Sequence, residues 1–261
     1  MAILEAFTYN GERDILRLHL EMLHNYVDKF IICEAKTTFT GYKKPLYFFQ
    51  HQRYFKKWWS KIEYYVIDEN YTDEEINLAR ESPYTKGAAH WRNEFLQKES
   101  IKKGIEVLKP NPHDLIYIGD VDEIINPDSA ILVPSKIKLR VFADYLNNES
   151  SEEFWGPIAV LYKDLKGKSL NELRNTLPKS KEYGGWHFTN MGGIQQVRRK
   201  LNDSYTSESY NTYEVQEKLS SRLQEGTDYL GRPFTFKVNE ENWPQYLKEN
   251  KREYKHLLWQ Q

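Results

Sequence analysis

The stretch that decides the fold of this 261-residue chain is Leu115-Ile-Tyr-Ile-Gly-Asp120-Val-Asp122-Glu123-Ile-Ile125. An apolar, β-favouring run is followed by three carboxylates within four positions, and Asn126-Pro127 closes the segment. A short apolar run bounded by turn residues predicts a strand that is buried on both faces. If the strand continues, Asp120 and Asp122 point to one side and Val121 points into the core.

Two carboxylates held side by side repel each other unless a cation lies between them. Their hard oxygen atoms suit Mg²⁺ or Mn²⁺, which often complete their coordination with water and a substrate phosphate. Open α/β sheets bind their ligands at the carboxyl ends of the strands. The motif therefore predicts a metal and diphosphate site, and the alternative is a solvated acidic turn after a core strand.

The residues before this motif alternate between strand and helix patterns. Strands are predicted over Ile3–Tyr9, Phe30–Glu34 and Ile62–Ile67, and the 14–29 segment between the first two has the 3.6-residue apolar period of a helix. A strand, a helix and a strand within about thirty residues predict a parallel βαβ unit. A long helix over Lys86–Leu108 then leads into the acidic strand.

The second half of the chain has a more mixed pattern. Strands are predicted over Val141–Leu146, Phe154–Leu161 and Tyr183–Phe188, and Gly156-Pro157 places the second of these at an edge or a bulge. A helix is predicted over Asn211–Gln224, with Gly226 as its C-terminal cap, and the tail from Trp243 is helical or irregular. Without repeats or linkers, residues 1–261 predict one α/β domain with a mostly parallel central sheet.

The composition excludes several classes of protein. Lys and Arg number 37 against 38 Asp and Glu, so the net charge of -1 gives no general attraction to nucleic acid or anionic membranes. Cys33 is the only cysteine, which excludes intrachain disulfides and fits a reducing compartment. The first residues show neither a signal peptide nor a membrane span. We expect a soluble cytoplasmic protein, and the oligomeric state stays open.

Several side chains outside the acidic motif are candidates for binding or chemistry. His187 follows Gly184-Gly-Trp, where glycine permits close approach of a ligand, and its imidazole could complete a metal site; the alternative is a packed histidine in an aromatic strand. The run Arg198-Arg-Lys200 could neutralise a diphosphate or could be a solvated helix face. Arg92 and Lys98, on the helix before the acidic strand, could reach a phosphate or sugar, or be ordinary surface cations.

Polar residues also follow the first two predicted strands. Asn10, Glu12 and Asp14 follow strand one, where they could contact a nucleotide, and Asp14 is also a plausible helix N-cap. Glu34 ends strand two in the same way. Asp203 and Glu208 lie in a polar segment after His187, and either could be a base or part of a loop.

The chain lacks other well-known catalytic signatures. It has no Gly-x-x-x-x-Gly-Lys-Ser/Thr loop, no Gly-x-Ser-x-Gly and no paired cysteines for a metal. Cys33 lies in an apolar strand, which is a poor environment for a nucleophile.

Three blocks of the sequence resemble family 17 of the glycosyltransferases, which includes the β-1,4-mannosyl-glycoprotein β-1,4-N-acetylglucosaminyltransferases. The first runs from Phe7-Thr-Tyr-Asn-Gly-Glu12 through Phe30-Ile-Ile-Cys-Glu34 to Gly41-Tyr-Lys-Lys-Pro-Leu46, and its length makes it specific. The second is Ile118-Gly-Asp120-Val-Asp122-Glu123-Ile and the third is Gly185-Trp186-His187. The resemblance covers roughly residues 1 to 230.

This resemblance implies a GT-A-like fold, a nucleotide-sugar donor such as a UDP-sugar, Mn²⁺ or Mg²⁺, a glycan or glycoconjugate acceptor, and inversion at the anomeric carbon. Asp122 would hold the metal, with Asp120 directly or through water, and His187 would add a ligand. Glu208 is the first choice for the catalytic base and Asp203 the second. A nucleotidyltransferase of similar fold and a sugar-binding protein without turnover are the alternatives. The residues expected at the donor are Asn10, Glu12, Glu34, Arg92, Asp120 and Arg198. The resemblance further implies that residues 1–126 form the nucleotide-sugar-binding half and residues 127–261 the acceptor-side half. With no membrane anchor in the sequence, we expect a bacterial or viral enzyme rather than a Golgi-anchored one.

Overall fold

The computed structural model describes residues 1–83, 85, 89–203 and 210–259, which form an α/β fold with a large sheet flanked by helices. The strands of the described residues are β1 Ile3–Thr8, β2 Lys29–Glu34, β3 Ile62–Val66, β4 Leu115–Asp120, β5 Glu123–Ile125, β6 Ser135–Ala143, β7 Asn148–Ser150, β8 Phe154–Leu161, β9 Lys179–Thr189 and β10 Phe236–Val238. The α-helices are α1 Arg13–Leu23, α2 Tyr47–His51, α3 Asp73–Glu81, α4 Ala89–Glu99, α5 Ile101–Val107, α6 Tyr162–Leu165, α7 Leu170–Thr176, α8 Gly193–Asp203, α9 Tyr213–Glu225 and α10 Gln245–Glu249, and 3₁₀ helices cover Gln52–Lys61 and Lys251–Leu257.

The sheet is mixed, with the strand order β10-β7-β6-β8-β4-β1-β2-β3, and β9 pairs with both β6 and β5. The half built from β4, β1, β2 and β3 is parallel, as the βαβ pattern predicts. Beyond β4 the pairing changes, because β8 runs antiparallel to both β4 and β6. The α/β class is therefore confirmed, and the sheet is less parallel than the sequence indicates.

The first βαβ unit forms because helix α1 and the sheet each present an apolar face to the other. The leucines of α1 at positions 16, 18, 20 and 23 are fully buried against the sheet face that carries Phe7 and Phe30. The predicted bounds of β1, β2 and β3 agree with the observed ones to within one residue. Asp14 is not the helix cap, because α1 begins at Arg13 after Glu12, which makes no side-chain capping bond.

The long helix predicted over Lys86–Leu108 is two helices, α4 and α5, and its residues 86–88 lie outside the described part of the chain. The break falls at Ser100, whose hydroxyl donates to the Leu96 carbonyl oxygen at 2.8 Å. A serine hydroxyl that bonds to the preceding turn competes with the helical pattern and often bends a helix. Both helices still lie before the acidic strand β4, so the predicted connection is correct.

In the second half the predicted strand bounds shift more. The strand predicted over Val141–Leu146 is the longer β6, which ends at Ala143 because Asp144 adopts a left-handed backbone with φ of 67°. β8 lies between β4 and β6, so it is not an edge strand, but the β6 register shifts between Lys136 and Lys138, opposite Gly156-Pro157. The predicted bulge is therefore present.

The C-terminal part follows the predicted helical pattern. The α9 helix begins after Thr212, whose hydroxyl accepts from the Val215 N–H, and ends at Glu225, before the cap residue Gly226 with φ of 65°. The tail forms α10 and the second 3₁₀ helix, which supply Leu247, Tyr254 and Leu257 to the main core. Within the described ranges, every helix is too short or too polar to span a lipid bilayer.

Candidate active site

A cavity of about 530 Å³ opens at the carboxyl ends of β1, β2 and β4. This volume lies within the range of about 300–1,000 Å³ that is usual for small-molecule sites. Thr8, Ala35 and Asp120 mark the three strand ends in its wall. Cationic side chains from five other parts of the fold also line it: Lys44, Lys98, Arg174, Arg199, Lys200 and Arg232.

The acidic motif turns sharply at this edge. β4 ends at Asp120, Val121 and Asp122 form a turn, and β5 begins at Glu123, so the strand does not continue through the motif. Val121 is buried in the main core, as predicted. The turn is held from β9, where the Phe188 N–H donates to the Asp122 carbonyl oxygen at 2.8 Å. Both Asp120 and Asp122 line the cavity.

Asp120 is already neutralised by cations of the protein. One carboxylate oxygen accepts from the Thr8 hydroxyl at 2.9 Å, and the other lies 3.3 Å from Lys98 Nζ and 3.4 Å from an Arg174 nitrogen. Burial alone would raise the pKa of Asp120, but Lys98 and Arg174 outweigh burial and lower the pKa well below its usual value. Asp120 is therefore an ionised, fully paired carboxylate.

Glu123 is the most buried of the three acids, with 2% of its surface exposed. It accepts from the Asp120 N–H at 3.0 Å and forms an ion pair with Arg174. Burial raises the pKa of Glu123, and Arg174 counteracts only part of that effect. A Cβ atom at either Gly119 or Gly156 would overlap the Glu123 carboxylate. Glu123 is thus packed into a slot that two glycines keep open.

Asp122 faces His187 across the β5–β9 pair, with 3.4 Å between Oδ2 and Nε2. Phe154 stacks on the imidazole with 4.2 Å between ring centroids. Burial would raise the pKa of Asp122, but His187 and Lys200 together lower it. Nδ1 of His187 is buried and lacks a hydrogen-bond partner among the described residues. The Gly-Trp-His block and the acidic motif, 65 positions apart, therefore meet as predicted.

The residues at this point fit a divalent cation that a substrate helps to bind. A carboxylate and an imidazole are both ligands of Mn²⁺, and Oδ2 of Asp122 lies 3.4 Å from Nε2 of His187, so the two groups present one oxygen and one nitrogen donor at the same point. In the described part of the chain, three or more His, Cys, Asp or Glu side chains do not converge on one point. Such a short ligand set is typical of Mg²⁺ or Mn²⁺ sites that take the remaining ligands from water and substrate phosphates.

Arg199 on α8 carries the clearest unmet hydrogen-bonding capacity in the cavity. Its Nε and Nη2 atoms are buried without a hydrogen-bond partner among the described residues. The guanidinium stacks on Tyr47 at 4.3 Å, and Nε lies 3.5 Å from Asp203. A Cβ atom at Gly11 would approach Nη1 to 2.9 Å, so glycine leaves room for the guanidinium there. Buried N–H groups of this kind are suited to phosphate oxygens.

Asn10, Glu12 and Asp203 all lie in the cavity wall, as the sequence suggests. The Asn10 amide donates to Asp203 at 3.3 Å, and its backbone N–H donates to Glu12 at 2.8 Å. Burial raises the pKa of Glu12. Glu208, the first choice for the base, lies outside the described residues, so the structure places only Asp203 of the two.

Three of the predicted donor contacts do not line the cavity. Glu34 is fully buried and accepts from the N–H groups of Tyr47 and Phe48 at 2.6 and 3.0 Å, so its oxygens anchor the start of α2. Arg198 is exposed on α8, where each residue is rotated by about 100° from its neighbour, and this rotation puts Arg199 in the cavity instead. Arg92 lies on α4 away from the cavity lining.

The sequence did not indicate Arg174, which bridges Asp120 and Glu123 from the short helix α7. Its capping box, Ser169-Leu-Asn-Glu172, predicts the helix, and the Ser169 hydroxyl does accept from the Glu172 N–H. No local pattern connects that helix with a strand fifty residues earlier. Only the tertiary packing of α7 against α4 and β8 brings the guanidinium to the motif.

Comparison with known families gives a match to the first half of the chain. A family model described as glycosyltransferase family 17 matches residues 1–138, which is more than half of the chain. The matched range includes β1 to β4 and both aspartates of the motif, and it ends before His187. A search of curated proteins gives no match.

Proposed function

The chain belongs to glycosyltransferase family 17, and we propose that it moves GlcNAc or a related hexose from a UDP-linked donor to a glycan hydroxyl, with a divalent metal and with inversion. Family membership makes the chain an N-acetylglucosaminyltransferase-like enzyme, so a nucleotidyltransferase and a sugar-binding protein without turnover are set aside. The observation that carries the finer proposal is the pair of Asp122 and His187, which lines the same cavity as the buried guanidinium of Arg199.

Asp122 and His187 are the residues that would hold the metal. Asp120 is the weaker candidate for direct ligation, because Lys98, Arg174 and Thr8 already occupy its oxygens. Its role is to orient the turn and to contact the metal through water. A divalent cation bound there would offset the negative charge that grows on the departing diphosphate.

Arg199 and Lys200 replace the predicted Arg198 as the contacts to the diphosphate. Lys200 lines the same cavity, and its amino group donates to the Thr189 hydroxyl at 2.7 Å. Nη2 of Arg199, which has no hydrogen-bond partner among the described residues, can donate to a phosphate oxygen, while Nε lies 3.5 Å from Asp203. Arg199 and Lys200 stabilise charge where it develops, so their effect is larger in the transition state than in the bound donor.

A carboxylate on the opposite side of the sugar completes the reaction. It takes the proton of the acceptor hydroxyl while that oxygen bonds to the anomeric carbon, and the bond from this carbon to the diphosphate oxygen breaks on the other face. One displacement of this kind inverts the anomeric configuration. Asp203, in the cavity wall, is the candidate within the described residues, and Glu208 is the other candidate.

The proposal is tested with a panel of nucleotide sugars and Mn²⁺, scored by the release of nucleoside diphosphate and by the anomeric configuration of the product. We expect a UDP-hexose to be the preferred donor and chelation to stop release. Asp122→Asn should abolish turnover, while the control Asp128→Asn, which changes an exposed acid six positions later, should not. Metal-independent turnover, or full activity of Asp122→Asn, would contradict the proposal.

A further inference from the structure

A buried polar pair lies directly beneath the acidic turn. Glu5 on β1 is 3% exposed and His19 on α1 is 0% exposed, and 3.0 Å separates Oε2 of the carboxylate from Nε2 of the imidazole. Phe7 packs on the imidazole at 4.6 Å, and Phe30 meets it edge-on at 6.2 Å. Apart from this pair, the surrounding α1 interface is apolar.

The other nitrogen of His19 reaches the acidic motif itself. Nδ1 lies 2.8 Å from the carbonyl oxygen of Val121, the residue between Asp120 and Asp122. A carbonyl oxygen can only accept, so Nδ1 carries a proton and donates it to this oxygen. Nε2 is thereby directed at Glu5. The ion-pair contact of Glu5 with His19 and the hydrogen bond from His19 to Val121 therefore connect the first strand to the peptide that joins Val121 to Asp122.

Such a pair is not needed to hold the layers of the fold together. Burying two polar groups requires desolvation, and apolar side chains of similar volume often give the same or greater stability. Glu5 also raises the pKa of His19, against the opposing effect of burial. What an apolar pair could not provide is a directed hydrogen bond to the Val121 carbonyl.

We propose that Glu5 and His19 are positioning residues that fix the orientation of the Val121–Asp122 peptide, so that the Asp122 carboxylate faces His187 and the metal. This inference rests on the proposed metal site. Glu5 orients His19, and His19 holds the carbonyl from below. From above, the Phe188 N–H holds the Asp122 carbonyl. Side chains that orient the ligands of a metal commonly change its affinity by about 10- to 100-fold when removed.

The test uses variants that keep the fold. A single His19→Ala change would leave the Glu5 carboxylate buried and unpaired, so we choose the double variant Glu5→Leu/His19→Met, which substitutes apolar side chains of similar size. Glu5→Gln is the conservative variant, because its amide N–H can donate to Nε2 and keep Nδ1 protonated. His24→Gln is the matched control, since His24, which follows the last residue of α1, also bonds a carbonyl, that of Glu21, away from the motif.

Two quantities are measured: the affinity for Mn²⁺ in the presence of UDP, from the electron paramagnetic resonance signal of free Mn²⁺, and the thermal midpoint in metal-free buffer. We expect the double variant to bind Mn²⁺ about tenfold more weakly or worse, with a cooperative thermal transition. The Mn²⁺ affinity of Glu5→Gln and of His24→Gln should stay within threefold of the wild-type affinity, a factor that corresponds to about 0.6 kcal/mol.

The outcomes separate the inference from the proposed function. A wild-type protein that fails to bind Mn²⁺ with UDP overturns the metal site itself. Wild-type binding together with equal affinity in the double variant overturns only the positioning role. Loss of the cooperative transition in the double variant would show that the pair serves the stability of the fold, which also overturns the inference. Weaker Mn²⁺ binding in the double variant, together with near wild-type Mn²⁺ affinity in Glu5→Gln, supports the inference.

Discussion

Arg174→Leu is expected to destabilise the protein strongly, and to do so in a pH-dependent way. Arg174 bridges two carboxylates, Asp120 and Glu123. Asp120 keeps Lys98 at 3.3 Å and the Thr8 hydroxyl at 2.9 Å after the change. Among the described residues, Glu123 keeps the hydrogen bond from the Asp120 N–H at 3.0 Å, so most of the loss arises from this one buried carboxylate.

The magnitude follows from the burial of Glu123. Breaking a buried ion pair by removing one partner costs about 3–5 kcal/mol. For a chain of this size, about 2–4 °C of thermal midpoint is lost per kcal/mol, so we expect a decrease of about 6–20 °C. Arg140→Leu is the matched control, because its partner Glu149 keeps hydrogen bonds from Asn239 and Asn242. That change should cost about 1 kcal/mol or less.

The sign of the pH dependence is set by the raised pKa of Glu123. The folded state binds this proton more tightly than the unfolded chain, whose pKa is near 4.5. The contribution of Glu123 to stability is therefore fully present below that pH and is lost as the pH rises through the folded pKa. Without Arg174 the folded pKa rises further. The deficit of the variant should shrink on acidification, by at most about 1.4 kcal/mol per pH unit.

The assay is urea denaturation at pH 5 and pH 8, followed by tryptophan fluorescence, with the wild type as reference at each pH. The difference between variant and wild type cancels the groups that the change does not touch. A deficit below about 1 kcal/mol at pH 8 would show that Glu123 is not held by Arg174. An equal deficit at both values of pH would show that burial of an ionised Glu123 is not the cause.

Three further changes test other parts of the site. Gly119→Ala places a Cβ atom 2.6 Å from Glu123 Oε2, and it should lower the free energy of unfolding, measured by urea denaturation, by about 1–3 kcal/mol. His187→Ala should weaken Mn²⁺ binding while lowering the metal-free thermal midpoint by only a few degrees, since the lost Phe154 stacking is worth about 0.5–1.5 kcal/mol; unchanged binding would remove His187 from the metal site. Asp203→Asn should lower kcat by about 10²–10⁴ with a donor KM near that of the wild type. A raised donor KM with unchanged kcat would show instead that Asp203 only holds Arg199.

The first half of the fold was predictable because its signals are local. Each strand from β1 to β4 is a short apolar run that ends at polar residues, and α1 has a helical apolar period. The parallel order then follows from the crossover helices. The second half was less predictable, because the antiparallel position of β8 depends on which strand edge is free once β4 is in place.

The site shows the same division. Asp120, Asp122 and His187 could be chosen from the sequence because a strand end and a glycine-rich strand mark their positions. In the structure all three line the same cavity. The choice between Arg198 and Arg199 needed the helix phase, which the buried Val197 and Leu201 define. The inward direction of Glu34 could not be predicted, because the same strand-end position can face the cavity or the N-terminus of the next helix.

The acidic motif contains three chemically similar side chains with three different environments. Glu123 is enclosed by two glycines and Arg174, and Asp120 is neutralised by Lys98 and Arg174. Asp122 has only His187 within ion-pair distance among the described residues, and imidazole is itself a metal ligand. An added cation would have to displace protein cations at Asp120 or enter a closed slot at Glu123. At Asp122 it meets neither obstacle, and this difference in environment, rather than the spacing of the motif, supports Asp122 as the carboxylate proposed to hold the metal.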